Sequence, residues 1–220
     1  MSDLLECIEI ETAHHPGAAV IWLHGLGADG NDFVPIVSEL DLSDVPLRFI
    51  FPHAPMQPVT INNGMVMRAW YDISDAAIRR EDETGVRASQ KNVEALIDRE
   101  IRRGVSSSRL VLAGFSQGGA IALHTGLRCA NTLAGVMALS CYLPLADSFA
   151  AEASEANRKT SIFMAHGFSD PVVTHARALE SREQLRKHGY RVEWHDYPMP
   201  HSVCAQEVAA IAAWLRRILA

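Results

Sequence analysis

Short runs of apolar and β-branched residues alternate along this chain with longer stretches in which apolar positions recur at helical spacing. Ala18 to Leu23, Leu47 to Phe51, Arg109 to Ala113, Leu133 to Leu139, Ser161 to Ala165 and Arg191 to Tyr197 read as strands. Asn31 to Leu40, Thr84 to Gly104, Gly118 to Cys129, Val173 to His188 and Ser202 to Leu219 read as helices. Strands joined through helices of this length need crossover connections, which predicts an α/β architecture: a mostly parallel central sheet with helices on both faces. Leu4 to Thr12 alternates enough to add a further edge strand.

From Pro52 the rhythm breaks. Residues 53–82 form an irregular insertion with Pro55, Pro58, the turn Asn62-Asn63-Gly64 and an apolar cluster of Met65, Val66, Met67, Trp70 and Tyr71. It follows a strand and so belongs on the carboxyl rim of the sheet, where long irregular segments are often functional. Two readings stand side by side: Met65, Trp70 and Tyr71 line a pocket, or the stretch is a hairpin whose methionines and aromatics patch the core. No repeat, linker or low-complexity segment interrupts the chain, so residues 1–220 are expected to form one domain.

Composition narrows the function. The chain has 220 residues, of which 48% are hydrophobic and 21% charged, as in an ordinary soluble globule. A formal net charge of −6 argues against nucleic acid, and no Lys/Arg cluster suggests an anionic membrane. Met1 to Cys7 lacks a signal-peptide pattern, and no apolar run approaches ~18 residues, so a cytoplasmic location without integral membrane association is expected. Cys7, Cys129, Cys141 and Cys204 are widely spaced and read as reduced core thiols. Ten histidines show no metal-binding spacing, so neither a metal nor a cofactor is called for.

Chemistry enters at Gly114-Phe115-Ser116-Gln117-Gly118, a GxSxG string between the strand ending at Ala113 and the helix that follows. A serine on a tight strand-to-helix turn has a strained backbone and needs neighbours without bulk, which Gly114, Gly118 and Gly119 supply. The turn holds the hydroxyl clear of the sheet, and the helix N-terminus directs unpaired N–H groups at any negative charge formed beside it. Covalent catalysis on an acyl group is the reading.

Such a serine needs a base, and the base an orienting acid. Both should follow the carboxyl ends of strands. His201, in Pro198-Met199-Pro200-His201-Ser202, follows the last strand; Asp170, in His166-Gly167-Phe168-Ser169-Asp170-Pro171, follows the one before. The order Ser116, Asp170, His201 is that of α/β-hydrolases carrying GxSxG. His195, His166 and Asp147 are the rivals. An oxyanion hole requires about two N–H donors. One is Gln117, after the nucleophile; the other is Leu26, in His24-Gly25-Leu26-Gly27. Gly25-x-Gly27-x-x-Gly30 also matches a dinucleotide fingerprint, but the next strand ends Phe51-Pro52-His53 without the acid that would hold a ribose.

Taken together, Trp22-Leu23-His24-Gly25-Leu26-Gly27, Phe51-Pro52-His53-Ala54-Pro55, Ala69-Trp70-Tyr71-Asp72-Ile73, Gly114-Phe115-Ser116-Gln117-Gly118-Gly119, His166-Gly167-x-x-Asp170 and His201 resemble the phospholipase/carboxylesterase family of α/β-hydrolases, which includes bacterial carboxylesterases and acyl-protein thioesterases. The resemblance spans nearly the whole chain. It implies an α/β-hydrolase fold without a large lid domain, a Ser116, Asp170, His201 triad, an oxyanion hole from Leu26 and Gln117, and short- to medium-chain acyl ester or thioester substrates. An acylated protein or a lysophospholipid is the alternative substrate, and an inert binding protein on the same fold the alternative of another class. Met65, Trp70, Tyr71 and Leu143 are the candidate substrate-binding residues, and an exposed Met/Trp cluster in the insertion would suit a modest homodimer contact. The chain departs from the family at Cys141, where Ser140-x-Tyr142-Leu143-Pro144 usually carries glycine, a change expected to narrow a nearby pocket.

Overall fold

A computed structural model describes residues 4–75 and 81–219. In chain order the elements are β1 (Cys7–Glu11), β2 (Ala18–Leu23), a single turn α1 (Ile36–Glu39), β3 (Leu47–Pro52), β4 (Met56–Val59), β5 (Met65–Arg68), α2 (Glu83–Arg102), β6 (Leu110–Phe115), α3 (Gln117–Gly126), β7 (Gly135–Leu139), α4 (Ala146–Glu152), β8 (Ser161–Gly167), α5 (His175–Lys187), β9 (Val192–Tyr197) and α6 (Ala205–Leu219). Seven strands form one sheet in the order β1-β3-β2-β6-β7-β8-β9. Only β1 runs antiparallel, along the outer side of β3. The Leu4 to Thr12 segment thus supplies the extra edge strand.

Strand periodicity explains why both faces are covered. On β2, Ala19, Ile21 and Leu23 enter a core with Val86, Val93 and Leu96 of α2 and Ala120 and Ile121 of α3. Ala18, Val20 and Trp22 point the other way, into a core with Val208, Ile211, Trp214 and Leu215 of α6. Each face of the strand is therefore apolar, and all six of its residues are buried.

Two differences from the sequence expectations have local causes, and the hairpin reading of the insertion holds. The helix expected over Asn31 to Leu40 shrinks to Ile36–Glu39, because Pro35 lacks the N–H that would bond to Asn31 and disfavours helical backbone at Val34. Tighter turns replace it, with Val34 N–H donating to Asn31 O at 3.2 Å and Ile36 N–H to Phe33 O at 3.1 Å. The short helix α4 was not expected at all. Its last residue, Glu152, accepts hydrogen bonds from Arg87 Nη2 at 2.6 Å and Arg128 Nε at 2.7 Å. The insertion at 53–82 contains a hairpin of β4 and β5, turning through Asn63 and Gly64 with φ of 56° and 74°; its residues 76–80 lie outside the described part.

The active edge depends on a close passage. A Cβ on Gly118 would stand 2.3 Å from Leu23 O and 2.5 Å from His24 O, so α3 touches β2 backbone to backbone. Gly118→Ala is expected to cost about 3 kcal/mol or more through that overlap, read as a lower denaturation midpoint.

At the other end of the site, Glu207 in the first turn of α6 is fully buried, and neither carboxyl oxygen has a hydrogen-bond partner among the described residues. Burial pushes its pKa from 4.5 up to about 8. Between those values the unfolded chain releases a proton that the folded chain keeps, so this group makes stability fall as pH rises through the window. Glu207→Gln should remove that contribution: compared with wild type, the urea midpoint of the variant should gain at pH 8 relative to pH 5. Equal gains at both pH values would contradict it.

Candidate active site

Ser116 stands alone between the end of β6 and the start of α3, with φ 54° and ψ −121°. Backbone of this kind costs about 1–3 kcal/mol and survives only where its surroundings determine it. Here they do. Ser116 N–H donates to Leu139 O at 2.8 Å, and its carbonyl accepts from Ala120 N–H at 3.0 Å as the first turn of α3. A Cβ on Gly114 would stand 2.3 Å from Gly118 C and O, so strand and helix fold back on each other with no room for a side chain.

The loops after β8 and β9 meet the serine. His201 Nε2 lies 2.9 Å from Ser116 Oγ, and its Nδ1 lies 2.7 Å from Asp170 Oδ2. Asp170 Oδ1 accepts N–H bonds from Val172 at 2.8 Å and Val173 at 2.9 Å, which suits a carboxylate in a fully buried side chain. The carboxylate accepts, so His201 Nδ1 carries the proton and Nε2 turns its lone pair toward the serine hydroxyl. The Phe115 ring, 4.7 Å from the imidazole between centroids, fixes the ring from one side. The two loops touch directly: a Cβ on Gly167 would stand 2.2 Å from Met199 O, and Ser169 N–H donates to Met199 O at 3.2 Å.

Leu26 and Gln117 flank the serine with backbone N–H groups. Gln117 begins α3, so its N–H has no intrahelical acceptor. The Gly25-Leu26 backbone runs beside Ser116, the Cβ position of Gly25 falling 3.5 Å from Ser116 Cβ. Among the described residues neither the Leu26 nor the Gln117 N–H has a backbone acceptor. The loop is held from below: His24 Nδ1–H donates to Gly25 O at 2.7 Å, its Nε2 accepts from Ala54 N–H at 3.1 Å, and Trp70 Nε1–H donates to His24 O at 2.9 Å. Burial keeps His24 neutral by lowering its pKa. Gly30, last glycine of the fingerprint-like string, packs against β3, where a Cβ would stand 2.5 Å from Phe51 O.

A cleft of ≈ 350 Å³ opens at Ser116, with Leu26, Gln117, Tyr71, Ile61, Tyr142 and Val172 in its walls. Of the four candidate substrate-binding residues only Tyr71 lines it. Met65 projects from the hairpin and is 64% exposed. Trp70 is buried beneath the cleft, tied to the His24 loop, and Leu143 lines a neighbouring polar cleft with Glu81, Asp147 and Arg177. Ile61, Asn62, Ile73, Tyr142, Val172 and Val173 also line the cleft and were missed. Signals existed for several of them: Val172 and Val173 follow Asp170-Pro171, and Ile73 and Tyr142 stand in the strings that hold Tyr71 and Leu143. Cys141 presses against α3 from below, its Sγ 2.9 Å from the Cβ position of Gly119, and is absent from the cleft walls. Burial pushes its thiol pKa well up, so it is an apolar spacer there.

The rivals fall elsewhere. His195 lies on β9, stacked on Phe163 at 4.8 Å and bonded to Glu193 at 3.1 Å. Asp147 opens α4 and lines the neighbouring cleft. His166 is buried at the end of β8, behind Asp170.

Gln117 has a second attachment. Its side-chain Oε1 accepts from Trp70 N–H at 2.8 Å and its Nε2 donates to Tyr71 O at 2.7 Å. The residue after the nucleophile therefore grips the insertion by its backbone.

The chain is 41% identical over 213 residues to acyl-protein thioesterase 1 of Gibberella zeae, covering 92% of this chain and 91% of that protein. It is 43% identical over 211 residues to acyl-protein thioesterase 1 of Neurospora crassa, covering 90% and 85%. Among solved structures, SOBER1 of Arabidopsis thaliana superposes with a TM-score of 0.88 at 35% identity, covering 92% of this chain and 99% of that chain. The fold is that of the α/β-hydrolases, with no lid domain among the described residues. The model of the phospholipase/carboxylesterase family matches residues 5–219, and the chain belongs to that family.

Proposed function

We propose that this chain is a one-domain serine hydrolase of acyl esters or thioesters, with Ser116 as nucleophile, His201 as base and Asp170 as the acid that orients it. The observation that carries the reading is the unbroken line from Ser116 Oγ through His201 to Asp170, at 2.9 Å and 2.7 Å, opening on a cleft. During attack on the acyl carbonyl, His201 takes the serine proton and Asp170 steadies the imidazolium. The Leu26 and Gln117 N–H groups receive the oxyanion. Water then repeats the attack on the acyl-enzyme, with His201 again as base.

Short- to medium-chain acyl groups suit a cleft of ≈ 350 Å³, toward the small end of ligand pockets. A second reading, deacylation of acylated proteins, has support in the relatives named acyl-protein thioesterase 1. Four free cysteines fit a reducing, cytoplasmic setting. Among the described residues no helix is long and apolar enough to cross a membrane. A homodimer contact falls most naturally to the hairpin, where Met56, Met65 and Val66 are exposed.

A fluorophosphonate probe should label the wild-type protein at Ser116, and Ser116→Ala should lose labelling and about 10⁴-fold or more in turnover. Folded wild-type protein that stays unlabelled would favour an inert binding role. In a series of acyl groups from two to sixteen carbons, offered as matched oxygen esters and thioesters, kcat/KM should rise roughly fourfold per methylene while the cleft fills and then stop rising. A rise that continues to sixteen carbons, strongest for thioesters, would favour the acylated-protein reading.

A further inference from the structure

Among the described residues three buried histidines, His24, His124 and His166, stand outside the triad, and of these His166 lies against Asp170. It closes β8, is 1% exposed, and lies in the layer directly behind Asp170. Its Nε2 stands 2.8 Å from Val173 O and 3.3 Å from Asp170 Oδ2. A carbonyl can only accept, so this nitrogen carries a proton and donates it to Val173 O, with the Asp170 carboxylate beside it. The ring has no freedom to turn away. It stacks on Trp194 of β9 at 6.4 Å with 7° between planes, and His175 of α5 meets it edge-on at 6.0 Å. His175 is held in turn by Asp196, at 2.6 Å.

Two consequences follow for Asp170. Its Oδ2 receives the Nδ1–H of His201 from the side of the serine, and the His166 N–H dipole lies beside it at 3.3 Å. Its Oδ1 receives Val172 and Val173 N–H, from the turn whose Val173 carbonyl is bonded to His166. One imidazole nitrogen thus fastens the turn that cradles the carboxylate and sets its N–H dipole beside Oδ2.

We propose that His166 is a positioning residue for the reaction, sharing the Asp170 Oδ2 charge with His201 and fixing the carboxylate in the plane that His201 needs. This rests on the triad reading above. The groups that face His166 are Asp170 and His201 from the catalytic loops, His175 from α5 and the Trp194 ring from β9, with Asp196 reaching it only through His175. Burial lowers the His166 pKa, so it faces Asp170 as a neutral donor.

Two substitutions separate positioning from mere packing. His166→Leu keeps apolar bulk without a donor, whereas His166→Gln can place an amide N–H near the position of Nε2. With a soluble acyl ester, His166→Leu is expected to lower kcat about tenfold or more with little change in KM. It should also move the acidic limb of the kcat/KM profile to higher pH, because Asp170 would then turn its undivided charge on protonated His201. His166→Gln should restore most of kcat and the wild-type position of the limb. Wild-type kcat and limb in His166→Leu would overturn the inference, as would equal impairment of both variants with an unmoved limb. Fluorophosphonate labelling tells the two failures apart: unlabelled wild-type protein overturns the triad reading and this inference with it. Labelled wild-type protein and a His166→Leu variant that reacts at the same rate overturn this inference alone.

Discussion

The close approach of α3 to β2 is the constraint on which the rest of the site depends. Backbone meets backbone at Gly118 and again at Gly114, and no side chain fits between. That contact forces the chain to reverse within one residue and drives Ser116 to positive φ. Because α3 starts there, its first free N–H stands next to the serine; because β2 ends there, the Gly25-Leu26 backbone passes alongside. The nucleophile and oxyanion donors of the proposed mechanism are thus placed by one packing event. Base and acid arrive separately, on loops brought together by the pairing of β8 with β9.

The sheet edge is secured by a different kind of interaction. Glu100 of α2 is fully buried and accepts from Arg48 Nη1 at 2.7 Å, Arg99 Nε at 2.9 Å and Arg103 Nη1 at 3.0 Å. Arg103 also reaches Glu9 of β1 at 2.8 Å, and Arg48 reaches Glu11 at 2.8 Å. Charges of this kind give little net stability, yet are costly to leave half-paired. They suit an edge strand with few apolar residues to determine its own register, Ile8 and Ile10 packing against one core and Cys7 against the other.

Much of this was legible in the chain because it rests on periodicity or on a short-range demand. The five inner strands are runs buried on both faces, and the Gly114 to Gly119 string has meaning only at a strand-to-helix turn. The loop positions of Asp170 and His201 follow from strand ends alone. What could not be read depends on side-chain direction along irregular backbone. Met65 and Trp70 stand five residues apart in one apolar cluster, yet one projects into solvent and the other lies under the oxyanion loop. No period governs that stretch. Ile61 and Asn62 reach the cleft from a helical turn at the tip of the hairpin, and Tyr142 reaches it through a hydroxyl pairing with Tyr71 at 2.8 Å. The missing helix at Asn31 has a simpler cause, since Pro35 was present in the sequence and its effect on the preceding turn outweighs the spacing of apolar residues.

The double attachment of Gln117 bears on how such a protein can change over time. Its main chain belongs to the reacting centre while its amide holds the backbone of Trp70 and Tyr71, the latter a cleft wall. Recognition and reactivity are therefore not separable modules in this fold. A lineage adapting the insertion to a new acyl group moves the peptide on which the oxyanion donor leans, so drift in selectivity arrives together with drift in rate. Within the hairpin only the exposed side chains, Met56, Met65 and Val66, stand outside this linkage, whereas Ile61 and Asn62 line the cleft and Arg68 O accepts from Gly27 N–H at 2.9 Å.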